Sequence, residues 1–186
     1  MLRSYSAQYH EFVKGKYGFM ADIALFAIIT YFFHLLFRYF AQEIMSVPFI
    51  QASGQGLADI VYVTSLWIDR HLLGLQVVTA PGNTMWFANK SGLAVNSSCS
   101  GLKQFYQVLV LFILFPGPWK HKLWFIPMSC FAMFVTNIFR INVLSVVQSW
   151  HPEYFAFIHT WVLRPFFYVV LFALWVWWVE SFRRRA

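Results

Sequence analysis

The sequence predicts an all-α integral membrane protein with about four transmembrane helices. Hydrophobic residues make up 60% of its 186 residues and charged residues only 11%, whereas an average soluble domain is about 25% charged. The mean hydropathy is +0.58, and the basic residues cluster at the ends of apolar segments. A chain of this length has room for one bundle, so we expect a single membrane domain over residues 1–186.

Four apolar segments are suited to crossing a bilayer. They are residues 19–40, 99–115, 123–148 and 158–179. At 1.5 Å of rise per residue, the first segment reaches about 33 Å, which is enough for a hydrocarbon core of about 30 Å. The second ends at Pro116-Gly117-Pro118, because proline cannot continue a helix. Residues 41–56 are mixed in composition, and we expect a loop there.

Between the first two spans, the pattern changes twice. Residues 57–75 are apolar but carry four ionisable side chains, Asp59, Asp69, Arg70 and His71. Such groups are costly against lipid, so we expect an amphipathic helix at the outer surface or packed against the bundle. Residues 76–98 place Pro81-Gly82-Asn83 between two short β-prone runs, which predicts a small extracytoplasmic hairpin.

The basic clusters predict the orientation in the membrane. They lie in the N-terminal lead (residues 1–18), at Lys120 and Lys122, and in the triplet 183–185. All three are cytoplasmic if four segments span, in agreement with the positive-inside rule, and a fifth span at residues 57–75 would break this pattern. We therefore interpret the net charge of +7 as topology rather than as nucleic-acid binding. We expect a multi-pass protein of the cytoplasmic membrane.

This topology brings three polar residues to one depth near the outer face. Cys99 lies at the start of the second span, where the helix dipole favours a thiolate, the nucleophilic form of cysteine. Arg140 is 18 residues beyond Lys122, about 27 Å along a helix, and so lies near the outer edge of the core. His159 opens the last span. Ionisable groups at membrane depth usually indicate function.

The same residues resemble the exosortase/archaeosortase family of membrane-embedded cysteine transpeptidases. The resemblance consists of Cys99-Ser100-Gly101-Leu102 at a helix start, Asn137-Ile138-Phe139-Arg140-Ile141 in the next span, and His159 opening the one after it. It covers residues 95–165, the expected catalytic core. It implies that Cys99 is the nucleophile, Arg140 the stabiliser of the oxyanion or thiolate, and His159 the acid/base.

The resemblance also implies the substrates. They would be exported proteins with a C-terminal sorting tail, composed of a short motif, a transmembrane helix and a basic end. The tail would be cleaved at the extracytoplasmic face through a thioester, and the product transferred to an acceptor nucleophile that the sequence does not identify. Asn137 and Lys103 are the candidate supporting residues.

Other interpretations remain open. The chain is alternatively a small transporter or a non-catalytic membrane subunit in which Arg140 binds an anion. A Cys/His metal site is a rival chemistry, but the chain lacks a close pair such as CxxC or HxxxH, and Arg140 would repel a cation. We therefore expect no metal and no cofactor. His151 competes with His159 as acid/base, but it precedes Pro152 in a loop, where its orientation is less fixed.

Some further residues are expected to be structural. Cys130 lies in the middle of the third span among apolar residues, where a small packing residue is expected. Arg164 is expected to extend outward to the interface or to bind a neighbouring carbonyl, and His34 and Arg38 to mark an outer helix end.

Overall fold

The computed structural model describes the backbone of residues 16–183, and side chains within that range except at positions 16, 17, 45 and 183. Most of the predicted N-terminal lead, and Arg184 and Arg185 of the C-terminal triplet, lie outside the described residues. The main helices are α1 (Lys16–Ser46), α2 (Pro48–His71), α3 (Leu102–Leu114) and α4 (Trp119–Trp150), followed by a C-terminal rod (Pro152–Phe182). Within that rod, α5 (Phe155–Phe157) is joined to α6 (Arg164–Trp178) by a π-helical turn (Ile158–Leu163).

Within residues 16–183, three helical segments are long and apolar enough to cross a membrane, which agrees with a largely helical membrane protein. They are Gly18–Ile44, Trp119–Trp150 and Pro152–Phe182. The predicted second span contains α3, which has only 13 residues and is about 20 Å long. It is preceded by a separate turn at Ser97–Cys99, so Cys99 lies outside the regular α-helix.

The expected loop at residues 41–56 is wrong. α1 continues to Ser46 through a kink at Phe40, and α2 begins at Pro48. The first helical position suits proline, because the ring fixes φ at a helical value. The missing N–H would have no partner within the helix at this position. The sequence pattern treated Pro48 as a break, whereas it is a helix start.

α2 is the expected amphipathic helix, and it packs against the bundle. Its buried residues recur every three or four positions and so form one face; they are Gly54, Ala58, Val61, Ser65 and Asp69. A Cβ on Gly54 would lie 3.4 Å from that of Ser97. Glycine at this position therefore lets α2 approach the turn that carries Cys99.

A three-stranded antiparallel sheet covers one end of this packing. Its strands are β1 (Val77–Ala80), β2 (Thr84–Phe87) and β3 (Gly92–Ala94), in the order β1-β2-β3. β1 and β2 pair across the predicted turn, and β3 was not expected. Met85 from β2 packs in one cluster with Val61 of α2 and Ile141 of α4.

A second apolar cluster fills the other part of the bundle and is mainly aromatic. It contains Phe112, Phe125, Trp175 and Trp178, all fully buried. The guanidinium of Arg140, next to Ile141 of the first cluster, stacks 5.7 Å from the ring centre of Phe167 in this one. The candidate site thus lies between two packed cores.

Lys122 joins α3 to α4. Its side chain is buried, and its Nζ donates hydrogen bonds to the carbonyls of Ile113 (3.0 Å) and Phe115 (2.8 Å). A cation at a helix C-terminus satisfies carbonyls that have no partner within the helix and interacts favourably with the dipole. The sequence assigned Lys122 to a basic topogenic cluster, and the structure adds this capping contact.

Candidate functional site

The turn before α3 holds Cys99 in place. Asn96 caps it by accepting hydrogen bonds from the Ser98 amide (3.1 Å) and the Ser98 hydroxyl (2.5 Å). The buried Ser100 hydroxyl donates to the Ser97 carbonyl at 2.7 Å. Short polar side chains form such local bonds readily, which explains why this polar run turns instead of extending the helix.

α4 fixes the same turn from the side. The Asn137 amide donates a hydrogen bond to the carbonyl of Cys99 at 2.8 Å. Gly101 has a φ of +87°, and a Cβ there would lie 3.1 Å from the same amide. Glycine is therefore required both by its backbone conformation and by the close approach of Asn137. The backbone of Cys99 is held by a buried side chain of a neighbouring helix.

Arg140 and His159 form a direct pair. Arg140 Nη2 lies 2.8 Å from His159 Nε2. A guanidinium has only donors, so Nε2 accepts this bond and carries no proton, and the neutral ring holds its proton on Nδ1. The ring of Phe155 stacks on His159 at 5.8 Å and 9°, which restricts its orientation.

The rest of the Arg140 guanidinium is only partly satisfied. The side chain is 8% exposed. Its Nη1 reaches Asn137 Oδ1 at 3.5 Å, the long end of a hydrogen bond. Its Nε is buried without a partner among the described residues. A buried donor without an acceptor is costly, so an anionic group entering beside Arg140 would be stabilised.

A cavity of about 440 Å³ contains the three predicted residues. It is lined by His34, Ser98, Cys99, Lys103, Gln104, Gln107, Arg140, His159, Arg164, Phe167 and Tyr168. Three of these are cationic, and none is Asp or Glu. The Lys103 ammonium also lies 4.8 Å from the ring centre of Phe37. The cavity therefore favours a negatively charged ligand or a reaction that develops negative charge.

Arg164 and His34 both line the cavity. From the sequence, we expect His34 to mark an outer helix end and Arg164 to extend to the interface or to bind a neighbouring carbonyl, so a position in the cavity was not expected for either. Five residues separate Arg164 from His159, which puts them about 140° apart around a regular α-helix. The π-helical turn from Ile158 to Leu163 widens the helix and brings the two side chains to one side. Such turns are frequent at functional sites, but the sequence periodicity did not indicate this one.

The remaining candidates are separate from the cavity. His151 is exposed and pairs with Glu153 at 3.1 Å, so the structure places His159, and not His151, beside Arg140. Cys130 is half-buried against the aromatic core. The Cys99 thiol makes no hydrogen bond to Arg140 or His159 within the described residues. Catalytic hydrogen bonds are often long or unformed in the absence of substrate.

The described part of the chain contains no cluster of metal-binding side chains. Over residues 16–183, no group of three or more His, Cys, Asp or Glu side chains is arranged to hold a metal ion. The cationic side chains that line the cavity with Cys99 are Lys103, Arg140 and Arg164, and they suit an anion.

The spanning helices and this cavity define an integral membrane protein with a cysteine in one cavity with a partly buried Arg–His pair. The family model described as transmembrane exosortase (Exosortase_EpsH) matches residues 19–179. The chain belongs to the transmembrane exosortase family, as the motifs around Cys99, Arg140 and His159 suggested. Neither a curated protein nor a solved structure matches the chain.

Proposed function

We propose that this protein is a membrane-embedded cysteine peptidase and transpeptidase that removes the C-terminal sorting tail of exported proteins. The observation that carries the proposal is the Arg140–His159 pair, joined at 2.8 Å in the cavity that also contains Cys99. This arrangement supplies a candidate nucleophile, a fixed positive charge and a neutral imidazole.

The first half-reaction forms a thioester. The Cys99 thiol gives its proton to His159, and the sulfur attacks the scissile carbonyl, so that a C–S bond forms and the carbonyl electron pair moves onto oxygen. Arg140 stabilises this oxyanion. When the tetrahedral intermediate collapses, the C–N bond breaks and the leaving amine takes the proton from His159. The tail is released as a free amine.

The Arg–His contact couples these events. In the resting state, Arg140 donates to the unprotonated Nε2 of His159. Nε2 has one lone pair, so Arg140 must release it as the thiol proton arrives, and the bond does not re-form because both groups are then donors. Nη2 of Arg140 is then free to turn toward the oxyanion at the moment when negative charge develops. Arginine suits this role because it stays charged throughout.

The second half-reaction regenerates the thiol. His159 accepts a proton from the acceptor nucleophile, an amine or water, which attacks the thioester carbonyl. The C–S bond breaks, and the sulfur recovers its proton. We place the reaction at the extracytoplasmic face of the cytoplasmic membrane because the basic segments alternate in that sense. The chemistry requires no cofactor.

The test compares the C-termini of membrane and surface proteins in the native host. The strains carry the wild-type enzyme, Cys99→Ala, or Cys130→Ala as the matched control. We expect a set of exported proteins to lose its tail peptides in the wild-type and Cys130→Ala strains and to keep them with Cys99→Ala. Identical C-termini in all three strains would refute the proposal.

A second candidate function is a small transporter or a non-catalytic subunit that holds an anion at Arg140. The cationic lining of the cavity favours it. The two functions differ covalently, because only an enzyme forms a thioester with a substrate fragment on Cys99. Intact-mass analysis of the protein, purified together with a candidate substrate, separates them. A mass increase at Cys99 supports the enzyme, and an unchanged mass supports the second candidate function.

A further inference from the structure

A second cavity lies beside the first, between α1 and α6. It has a volume of about 300 Å³ and a lining that is almost wholly apolar. It is lined by Phe26, Ala27, Thr30, Tyr31, His34 and Tyr168. His34 and Tyr168 also line the cavity that contains Cys99. The two spaces are therefore adjacent and share these two side chains; we call the second one the α1–α6 cleft.

The helices that form the cleft are joined by aromatic rings on one side of it. Phe26 contacts Phe172 at 5.6 Å and Trp175 at 4.9 Å between ring centres. On the Cys99 side, the Tyr168 hydroxyl lies 3.5 Å from His34 Nδ1, the long end of a hydrogen bond. The Tyr168–His34 hydrogen bond beside the cavity is thus weak, whereas the aromatic contacts of Phe26 hold the two helices together.

The wall of the cleft on α1 suits a second helix. Ala27 is exposed, and Thr30 follows it by three residues, so both lie on neighbouring positions of one face. Small residues let helix backbones approach closely within a bilayer.

We propose that the α1–α6 cleft receives the apolar helix of the substrate tail and delivers the adjoining scissile bond to Cys99 between His34 and Tyr168. The inference rests on the proposed function. A helix in the cleft is already within the bilayer, so only the peptide at its outer end has to enter the polar cavity. Its basic end then remains at the cytoplasmic face, where the positive-inside rule places it.

The other large apolar groove does not fit this role. It lies between α2 and α4, has a volume of about 450 Å³, and includes Leu73 and Val135 in its lining. None of Cys99, Arg140 or His159 lines it. This groove shares no lining residue with the cavity that contains the thiol. It provides the matched comparison for an experiment.

The test uses a synthetic probe, so it does not require an identified substrate. The probe is a peptide of about 20 leucine and alanine residues, long enough to span a bilayer, with arginines at one end and a chloroacetyl group at the other. The protein carries Cys130→Ala, which leaves Cys99 as the sole thiol, and is reconstituted in phospholipid vesicles. Alkylation forms a C–S bond at Cys99, chloride leaves, and the thiol proton passes to the buffer. Small, water-soluble chloroacetamide reports thiol access that does not depend on the cleft.

Ala27→Trp fills the cleft with an indole. We expect it to slow labelling by the peptide about tenfold. Overpacking a helix contact costs about 1.4 kcal/mol or more, and that free energy corresponds to a factor of ten in binding. Labelling by chloroacetamide should stay within about twofold, as for a lipid-facing substitution. Two controls should leave both rates unchanged: Ile28→Trp, at a position 64% exposed, and Val135→Trp in the other groove.

Three results would overturn the inference. They are an unchanged peptide rate in Ala27→Trp, a slowed peptide rate in Val135→Trp instead, and peptide labelling of the wild-type cavity no faster than the background on Cys99→Ala. An equal chloroacetamide rate shows that Cys99 is equally accessible in each variant, and an equal melting temperature in detergent shows that the variant is folded. If the expected labelling pattern holds but tails are not processed in cells, the proposed function fails and the cleft remains a helix-binding site. If tails are processed but the labelling pattern is absent, only the cleft is wrong.

Discussion

At the scale of single residues, the candidate site is set by a small number of partly buried polar contacts. The Asn137 amide holds the Cys99 carbonyl, and Arg140 holds the neutral form of His159. Each bond crosses between two helical segments, so it fixes a side chain relative to the rest of the bundle. Buried polar groups within a bilayer have few alternative partners, which makes such contacts specific.

The roles of Arg140 and His159 can be separated by substitution. Arg140→Lys keeps the positive charge but loses the planar fork that reaches His159 and an oxyanion together. We expect it to lose about a hundredfold in turnover, as on removal of one oxyanion donor. His159→Ala should prevent expulsion of the leaving amine and leave little acyl-enzyme. Intact-mass spectrometry of Cys99 and rates of tail cleavage measure both effects, with His151→Ala as control.

A normal cleavage rate in Arg140→Lys would mean that charge alone suffices and that the bidentate geometry is not used. Full processing by His159→Ala would remove the histidine from the mechanism. A severe loss in His151→Ala would transfer the acid/base role to that residue, in spite of its exposed pairing with Glu153.

At the scale of elements, α2 is an amphipathic helix whose buried face carries an acidic side chain. Its buried face includes Asp69, whose side chain is 0% exposed. Burial raises the pKa of this carboxyl to about 6, and the hydroxyl of Ser145 on α4 opposes the shift. The hydroxyl is near the carboxyl without a well-formed hydrogen bond to either of its oxygens. α2 is not among the helices of spanning length and composition.

Asp69 should make stability depend on pH. Its folded pKa of about 6 is above its unfolded value near 3.8, so the folded state favours the neutral acid. This contribution is fully present below about pH 4 and is lost as pH rises through 6. We therefore expect Asp69→Asn to raise the melting temperature more at pH 7.5 than at pH 4.5. Thermal unfolding in detergent, with Asp59→Asn as the exposed control, measures the difference; a pH-independent difference would contradict the assignment.

Much of this architecture was predictable, and the failures have physical causes. Hydropathy and charge gave the apolar segments, and the order of Cys99, Arg140 and His159 gave the family. Pro48 was misread because proline both breaks helices and begins them. The position of Arg164 in the cavity was not predicted because a 3.6-residue period does not include a π-helical turn. Both errors concern local backbone geometry that residue spacing does not encode.

At the scale of the whole molecule, the two apolar clusters divide the protein into two ends. The sheet, the turn with Cys99 and the C-terminal end of α4 share one end; the bond from Asn89 Nδ2 to the Gln148 carbonyl, at 2.8 Å, ties the sheet to α4. The aromatic cluster and the Lys122 cap occupy the other end. The cavity lies near the end with the sheet. The membrane orientation of this end therefore decides the compartment in which the chemistry occurs.

The orientation can be tested with single cysteines in a background that carries Cys99→Ala and Cys130→Ala. Pro81→Cys lies in the exposed turn of the sheet, which contacts the C-terminal end of α4. Trp119→Cys lies at the N-terminal end of α4, a helix of 32 residues and about 48 Å. Because Lys120 and Lys122 favour the cytoplasmic side, an impermeant maleimide added to intact cells should label only Pro81→Cys. Permeabilised cells should label both, which serves as the control for reactivity. The reverse pattern in intact cells would place Cys99 at the cytoplasmic face, and the proposed tail cleavage would then have to occur before export rather than after it.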